Sequence, residues 1–151
     1  MSKLKIQPPV IHTPSFEEYK TVVTNLKRYY QEVGVGIPFP SSDHWYYYTN
    51  REGWAKILCH LVIKSSLYKR DKFDCEDYAL KAQIKCAELF NLNTLRYTYG
   101  MTPEGPHGFC TFWTGDSFMI FEPNEKFWDY LDGSLVFEWG ENGYEPKAVL
   151  L

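Results

Sequence analysis

The chain has 151 residues and a formal net charge of −3, a length that suits a single compact domain over residues 1–151. Its 16 lysines and arginines are scattered among 19 acidic residues, so no basic stripe favours nucleic acid as a partner. The sequence has no run of 18 apolar residues and its N-terminus lacks the apolar core of a signal peptide. We therefore expect a soluble protein without a membrane partner, and we leave its compartment open with the cytoplasm as the default.

The first predicted helix runs from about Phe16 to Glu32. Ser15 and Glu18 match a capping box, in which a serine hydroxyl and a glutamate three residues later satisfy the free amides of a helix start. Apolar and aromatic side chains then recur every three or four residues, which is typical of one buried helical face. The proline-rich segment that follows is a predicted loop, because proline cannot sit inside regular elements.

Two further helices are predicted before the middle of the chain. One spans Arg51 to Tyr68, with an apolar stripe on one side. The next begins at Cys75, after Asp74 as its N-cap, and ends at Asn91. Small and apolar residues follow Cys75 in steps of four and three, which places Cys75 on the buried stripe of this helix.

From residue 94 onward the pattern changes to alternation, which favours strands. The predicted strands are Thr94 to Tyr99, His107 to Thr114, Ser117 to Glu122, Leu135 to Trp139 and Lys147 to Leu151. Helices followed by consecutive strands indicate an α+β fold with an antiparallel sheet.

The pair Gly115-Asp116 lies between two of these strands and predicts a two-residue hairpin turn of type II′. If Thr114 pairs with Ser117, all other pairs across the hairpin are fixed, because each step back along one strand is matched by one step forward along the other. His107 and Glu122 then lie on one face as diagonal neighbours, with Cα atoms about 7 to 8 Å apart. A slip of one residue would place them on opposite faces, so the register decides whether they meet.

The four cysteines are widely spaced, and no CxxC pair occurs. A domain of this size does not need disulfides, so we expect free thiols and neither a zinc ribbon nor a redox dithiol. Cys86 and Cys110 fall on core stripes, and we interpret them as packing residues. Cys59 and His60 are adjacent in a helix and therefore point in different directions, which argues against a catalytic or metal-binding pair.

Cys75 is a candidate nucleophile only if a histidine supports it. A free thiol is mostly protonated at neutral pH, and a helix N-terminus favours a negative charge by only about 0.3 to 1 kcal/mol at an exposed site. The acidic neighbours of Cys75 oppose a thiolate through like charge. An imidazolium is needed, and His107 is the candidate, with Glu122 or Asn124 orienting its ring.

These residues resemble the transglutaminase-like cysteine peptidases within the broad papain-like group, and most closely the bacterial transglutaminase-like cysteine proteinases. The matching motifs are DCEDYA around Cys75, GPHGF around His107 and MIFEPN around Glu122. The resemblance implies a papain-like or transglutaminase-like α+β fold, in which N-terminal helices precede a central cysteine-bearing helix packed on an antiparallel sheet. It also implies that Cys75 is the nucleophile, His107 the general base and acid, and Glu122 the orienting group, with Asn124 as the alternative.

The activity implied by the resemblance is hydrolysis of a peptide or amide bond through a thioester, without a cofactor or a metal. The substrate would be a protein, a peptide or peptidoglycan, and transfer to an amine through the same thioester is an alternative. The oligomeric state stays open.

Other readings use the same residues differently. Taken alone, Cys75 is more often a buried structural thiol than a nucleophile. The aromatic content of 18% and the WYYY run at Trp45 to Tyr48 suit either core packing or a groove that binds peptide or glycan without catalysis. Asp71, Asp74 and their acidic neighbours could hold calcium, but helix capping explains most of them. A purely structural protein is the third alternative.

Overall fold

The computed structural model describes residues 4–7, 14–131 and 133–151. Its helices are α1 (Val23–Glu32), α2 (Arg51–Leu58) and α3 (Cys75–Phe90). Strands β1 (Tyr19–Val22) and β2 (Trp45–Tyr48) form an antiparallel pair. The main sheet contains β3 (Arg96–Thr102), β4 (Gly105–Trp113), β5 (Phe118–Phe121), β6 (Val136–Glu138) and β7 (Glu145–Val149). These five strands are antiparallel in the order β6-β5-β4-β3-β7, so the predicted α+β class is confirmed.

The prediction of a first helix from Phe16 was wrong in its first turns. Residues Tyr19–Val22 form β1 and pair with Trp45–Tyr48, and α1 begins only at Val23. The N-cap of α1 is Val22, which makes no side-chain capping bond, so the capping box expected at Ser15 does not start this helix. The β-branched residues Thr21 and Val22 favour extended backbone, and the WYYY run supplies the partner strand.

The second helix is shorter than predicted. It ends at Leu58, and a 3-10 turn at Cys59–Leu61 follows. Val62 and Ile63 then leave the helix because Ile63 exchanges backbone hydrogen bonds with the segment after β5: its N–H donates to the carbonyl of Pro123 (2.8 Å), and its carbonyl accepts from Glu125 (3.0 Å). A long-range pairing has therefore overridden the local helical pattern.

The third helix and the hairpin confirm the predictions that matter for the site. Helix α3 begins at Cys75, and Asp74 and Asp77 form a capping box at its start. In the hairpin, Trp113 pairs with Phe118 and Thr111 with Ile120, which is the predicted register. Gly115 has a positive φ of 102°, as the first position of a type II′ turn requires.

The main sheet carries helices on both faces. On one face, the thiol of Cys110 donates to the carbonyl of Ala79 in α3 (3.4 Å). On the other face, the hydroxyls of Tyr30 in α1 and Thr111 in β4 are hydrogen bonded (2.7 Å). Cys86 and Cys110 are fully buried, so both act as packing residues as predicted. Among the described residues, no helix combines the length and the apolar character that crossing a membrane requires.

Candidate active site

The hairpin of β4 and β5 brings His107 and Glu122 into direct contact. Nε2 of His107 lies 2.6 Å from Oε2 of Glu122, and the two side chains are 11% and 1% exposed. His107 lies near the start of β4, and Glu122 directly follows β5, so the fixed register of the hairpin produces the contact. The diagonal pairing predicted from the sequence is confirmed.

Cys75 reaches the same place from the start of α3. A methyl group added at Gly108 of β4 would lie only 3.1 Å from the Cα of Glu76, so the backbone of the first turn of α3 rests directly against the strand. Cys75 precedes Glu76 at this helix start, and a side-chain hydrogen bond with Cys75 is among the causes that raise the pKa of His107, so the thiol and the imidazole are neighbours. The thiol is partly exposed to solvent. Nε2 of His107 is hydrogen bonded to Glu122, so Nδ1 is the ring nitrogen that can interact with the thiol.

His107 is favoured in its charged form. Burial alone lowers its pKa, but hydrogen bonding to Cys75 and then to Glu122, together with their negative charges, outweighs burial and raises the pKa to about 9. The ring is therefore an imidazolium at neutral pH. The thiol of Cys75 also lies within hydrogen-bond distance of Oε2 of Glu76 (3.3 Å), to which it can donate.

Three donors from the described residues hold Glu122. Oε2 accepts from Nε2 of His107 and also from the hydroxyl of Tyr144 (3.0 Å), and Oε1 accepts from the backbone N–H of Asn124 (3.3 Å). A buried carboxylate is costly unless it is paired and hydrogen bonded, and this one has both kinds of partner. These contacts fix the carboxylate and keep the His107 ring oriented.

Asn124, the alternative orienting residue, lies close by but is used differently. Its side-chain oxygen accepts from the backbone N–H of Lys126 (3.0 Å) and caps the 3-10 turn at Glu125–Phe127. The carboxylate of Glu122, and not the amide of Asn124, is hydrogen bonded to His107.

Sequence reasoning missed two aromatic neighbours of the site. Tyr144 packs edge-on against the His107 ring, with centroids 6.0 Å apart, and the ring of Phe127 lies 5.2 Å from it. Tyr144 precedes β7 and Phe127 follows the hairpin, so both reach His107 through long-range packing. No spacing in the sequence signals either contact.

The remaining candidates have structural partners. The thiol of Cys59 donates to the carbonyl of Lys56 (3.3 Å), within its own helical turn. In the acidic cluster, Asp74 accepts from the backbone of Asp71 (3.1 Å), and the N–H of Asp74 donates to Asp77 (3.2 Å), which is capping. Within the described ranges, no group of three histidine, cysteine or acidic side chains is arranged to hold a metal ion.

The site has one ready donor for a developing oxyanion. Cys75 is the first residue of α3, so its backbone N–H has no partner within the helix and lies at the positive end of the helix dipole. A thiol, a charged imidazole and a helix N-terminus thus meet where the start of α3 approaches β4, the central strand of the sheet. Such a group can attack a carbonyl carbon and stabilise the charge that develops on its oxygen.

Comparisons with known proteins show similarity at the level of fold. No family model matches the sequence, and neither does any curated protein. A solved structure described as "PSL1a-E64 complex" is similar, with a TM-score of 0.61 and 18% identity over 87% of this chain. The chain spans only about half of that structure's chain, 51% of its length. At this identity, the similarity indicates a shared fold and nothing more.

Proposed function

We propose that the chain is a cysteine-dependent hydrolase of peptide or amide bonds, with the architecture of the transglutaminase-like and papain-like cysteine peptidases. The observation that carries this proposal is the His107 ring, which bonds Glu122 through one nitrogen and turns the other towards Cys75. Cysteine is a good nucleophile only as a thiolate, and an adjacent imidazolium stabilises that form.

In the proposed reaction, the thiolate of Cys75 attacks the carbonyl carbon of an amide. The backbone N–H of Cys75 donates to the oxyanion that forms. The imidazolium of His107 gives its proton to the nitrogen of the breaking C–N bond, so an amine leaves and a thioester remains. His107 then takes a proton from water, whose oxygen attacks the thioester, and the acid and the thiolate are released.

Glu122 acts without contact with the substrate in this reaction. It accepts a hydrogen bond from Nε2–H of His107, fixes the ring orientation and stabilises the imidazolium, which is the role of the third residue in such triads. Water can be replaced by an amine at the second step, so transfer to an amine uses the same groups. Peptidoglycan cross-links are amide substrates of the same class as peptides, and no cofactor or metal is required.

The experiment combines labelling and turnover. The similar solved structure is described as a complex with E64. E64 is an epoxide that a thiolate can open, so it is a suitable first probe. We expect one E64 adduct on Cys75, located by peptide mapping. Peptides incubated in H₂¹⁸O should gain one ¹⁸O at each new carboxyl terminus. Both signals should disappear in Cys75→Ala and persist in Cys59→Ala, a matched change at the other partly exposed cysteine.

A non-catalytic binding module is the second candidate. Trp128 and Tyr130 follow Phe127, which packs on His107, and their side chains are 47% and 51% exposed. Exposed aromatic side chains can bind peptide or glycan by stacking. If E64 and iodoacetamide leave Cys75 unmodified while peptide or glycan still binds, the hydrolase proposal is wrong and this second function replaces it.

A further inference from the structure

The structure points to Tyr144 as a positioning residue for the thiol–imidazole pair, acting through the carboxylate of Glu122. We infer that its hydroxyl keeps Oε2 of Glu122 aimed at the His107 ring, so that the ring stays in the orientation that serves Cys75. This inference rests on the function proposed above.

The contact is direct and buried. The hydroxyl of Tyr144 donates to Oε2 of Glu122 (3.0 Å), the same oxygen that bonds Nε2 of His107 (2.6 Å), and Tyr144 is only 2% exposed. Burial, followed by the charge of Glu122, raises the pKa of Tyr144. Its hydroxyl therefore stays protonated and remains a donor across the range in which a cysteine enzyme works.

The ring of Tyr144 is held as firmly as its hydroxyl. It packs edge-on against Phe109 (5.1 Å between centroids) and Phe137 (4.9 Å) and against the imidazole itself. Phe109 and Phe137 belong to β4 and β6, so the ring is fixed from two strands of the sheet. A rigid ring places its hydroxyl at a fixed point, which is what a positioning donor requires.

Without this hydroxyl, the carboxylate retains one donor besides the imidazole, the backbone N–H of Asn124, which reaches the other oxygen at 3.3 Å. Within the part of the chain that the structure describes, Oε2 would then have no fixed donor except His107. Rotation of the carboxylate would carry the ring away from the thiol, and the charged pair would form less often. The Tyr144 ring contacts the imidazole directly, whereas its hydroxyl bonds Glu122, so the effect of the hydroxyl passes through the carboxylate.

The experiment measures the second-order rate of iodoacetamide alkylation at Cys75 at pH 6.5, with the adduct located by peptide mapping. Tyr144→Phe keeps the ring and removes only the hydroxyl. We expect the rate to fall about 3- to 10-fold, since a hydrogen bond to a charged group is among the stronger ones. The matched control is Tyr30→Phe, which removes another buried hydroxyl, one bonded to Thr111, and should leave the rate within about twofold of wild type.

A double-mutant cycle distinguishes the positioning role of Tyr144 from a purely structural one. In a Glu122→Gln background, the change from Tyr144 to Phe should alter the rate by less than about twofold, because the charged acceptor is already gone. The inference would be overturned if Tyr144→Phe lowered the alkylation rate as much in the Glu122→Gln background as in the wild type. It would also be overturned if Tyr144→Phe alone did not lower the rate. If Glu122→Gln does not fold, the NMR resonance of the Nε2 proton of His107 tests the inference instead. This resonance should broaden in Tyr144→Phe and stay sharp in Tyr30→Phe.

Failure of the proposed function has a different signature. In that case Cys75 of the wild-type chain would be alkylated at the rate of an ordinary thiol, and a change of His107 would not alter this rate. If Cys75 reacts quickly in the wild type and equally quickly in Tyr144→Phe, only the inference about Tyr144 is overturned.

Discussion

At the scale of single residues, Cys75 is subject to two opposing influences from its own helix. The N-terminus of α3 favours a negative charge on the thiol. The carboxylate of Glu76, whose Oε2 lies 3.3 Å from the sulfur, disfavours it and also accepts the thiol hydrogen bond. The helix start alone therefore does not create a nucleophile, and the proposed function depends on the charge of His107.

Removing the charge of Glu76 should activate Cys75. Glu76→Gln keeps the size of the side chain and abolishes the like charge, so alkylation by iodoacetamide at pH 6 should be faster by about 2- to 5-fold, the size expected for one partly screened charge. Glu88→Gln, at another exposed position of α3, is the matched control and should change nothing. A slower reaction in Glu76→Gln would show that the carboxylate assists the thiol.

The contact between His107 and Glu122 could be predicted from the sequence because a two-residue turn fixes the register of both strands. Tyr144 could not be predicted in this way, because it enters from a part of the chain that approaches only when the sheet is complete. The choice between Glu122 and Asn124 also depended on the structure, since both residues lay within reach of His107 in the predicted register.

At the scale of elements, the site depends on how closely α3 approaches β4. Gly108 faces the first turn of α3, and the ring of Tyr97 covers the same glycine: an added methyl group would lie 2.9 Å from Cε2 of Tyr97 and 3.2 Å from the backbone nitrogen of Glu76. No other residue type fits between strand and helix at this separation without displacing one of them.

Gly108→Ala should therefore separate the thiol from the imidazole. We expect a loss of about 1 to 3 kcal/mol in the free energy of unfolding from overpacking, measured by urea denaturation, and slower alkylation of Cys75. Gly36→Ala is the matched control, because a methyl group there would meet only one backbone oxygen at 3.4 Å. Normal Cys75 reactivity in a folded Gly108→Ala protein would contradict this account of the helix–strand contact.

The elements that were predicted correctly carry their own local signals. Helix α3 has a capping box, a periodic apolar stripe and a left-handed Asn91 at its end, so its limits could be read directly. The errors occurred where a distant partner decided the conformation. Residues Tyr19–Val22 pair with the WYYY strand, and Ile63 pairs with the segment after β5, although both stretches also fit a helical pattern.

At the scale of the whole molecule, the candidate site gathers residues from distant parts of the chain. Cys75 begins α3, His107 lies in β4, Glu122 follows β5 and Tyr144 precedes β7. None of them contributes to the site until the sheet has formed, so the electrostatics of the site and the stability of the fold are linked.

This linkage predicts how stability depends on pH. The pKa of His107 is about 9 in the folded chain and near 6.5 when unfolded, so the folded state binds its proton more tightly. The resulting stabilisation is fully present below about pH 6.5 and is lost as pH rises through 9. It amounts to about 3 kcal/mol at most, from 1.36 kcal/mol for each pKa unit.

The measurement is urea denaturation between pH 6 and 9.5 for the wild-type chain and for His107→Asn. The unfolding free energy of the wild type should fall more steeply over this range than that of the variant. Parallel curves would show that His107 does not gain its proton affinity from folding.

The central claim is that His107 holds Cys75 in its reactive form, and the rate of Cys75 alkylation by iodoacetamide at pH 6 tests it most directly. At this pH an ordinary thiol is almost entirely protonated, whereas a thiolate paired with imidazolium still reacts. We predict that wild-type Cys75 reacts about 10-fold or more faster than Cys75 in the His107→Asn variant. Equal rates in the two proteins, at the level of an ordinary thiol, would contradict the claim and leave Cys75 as a packing residue of α3.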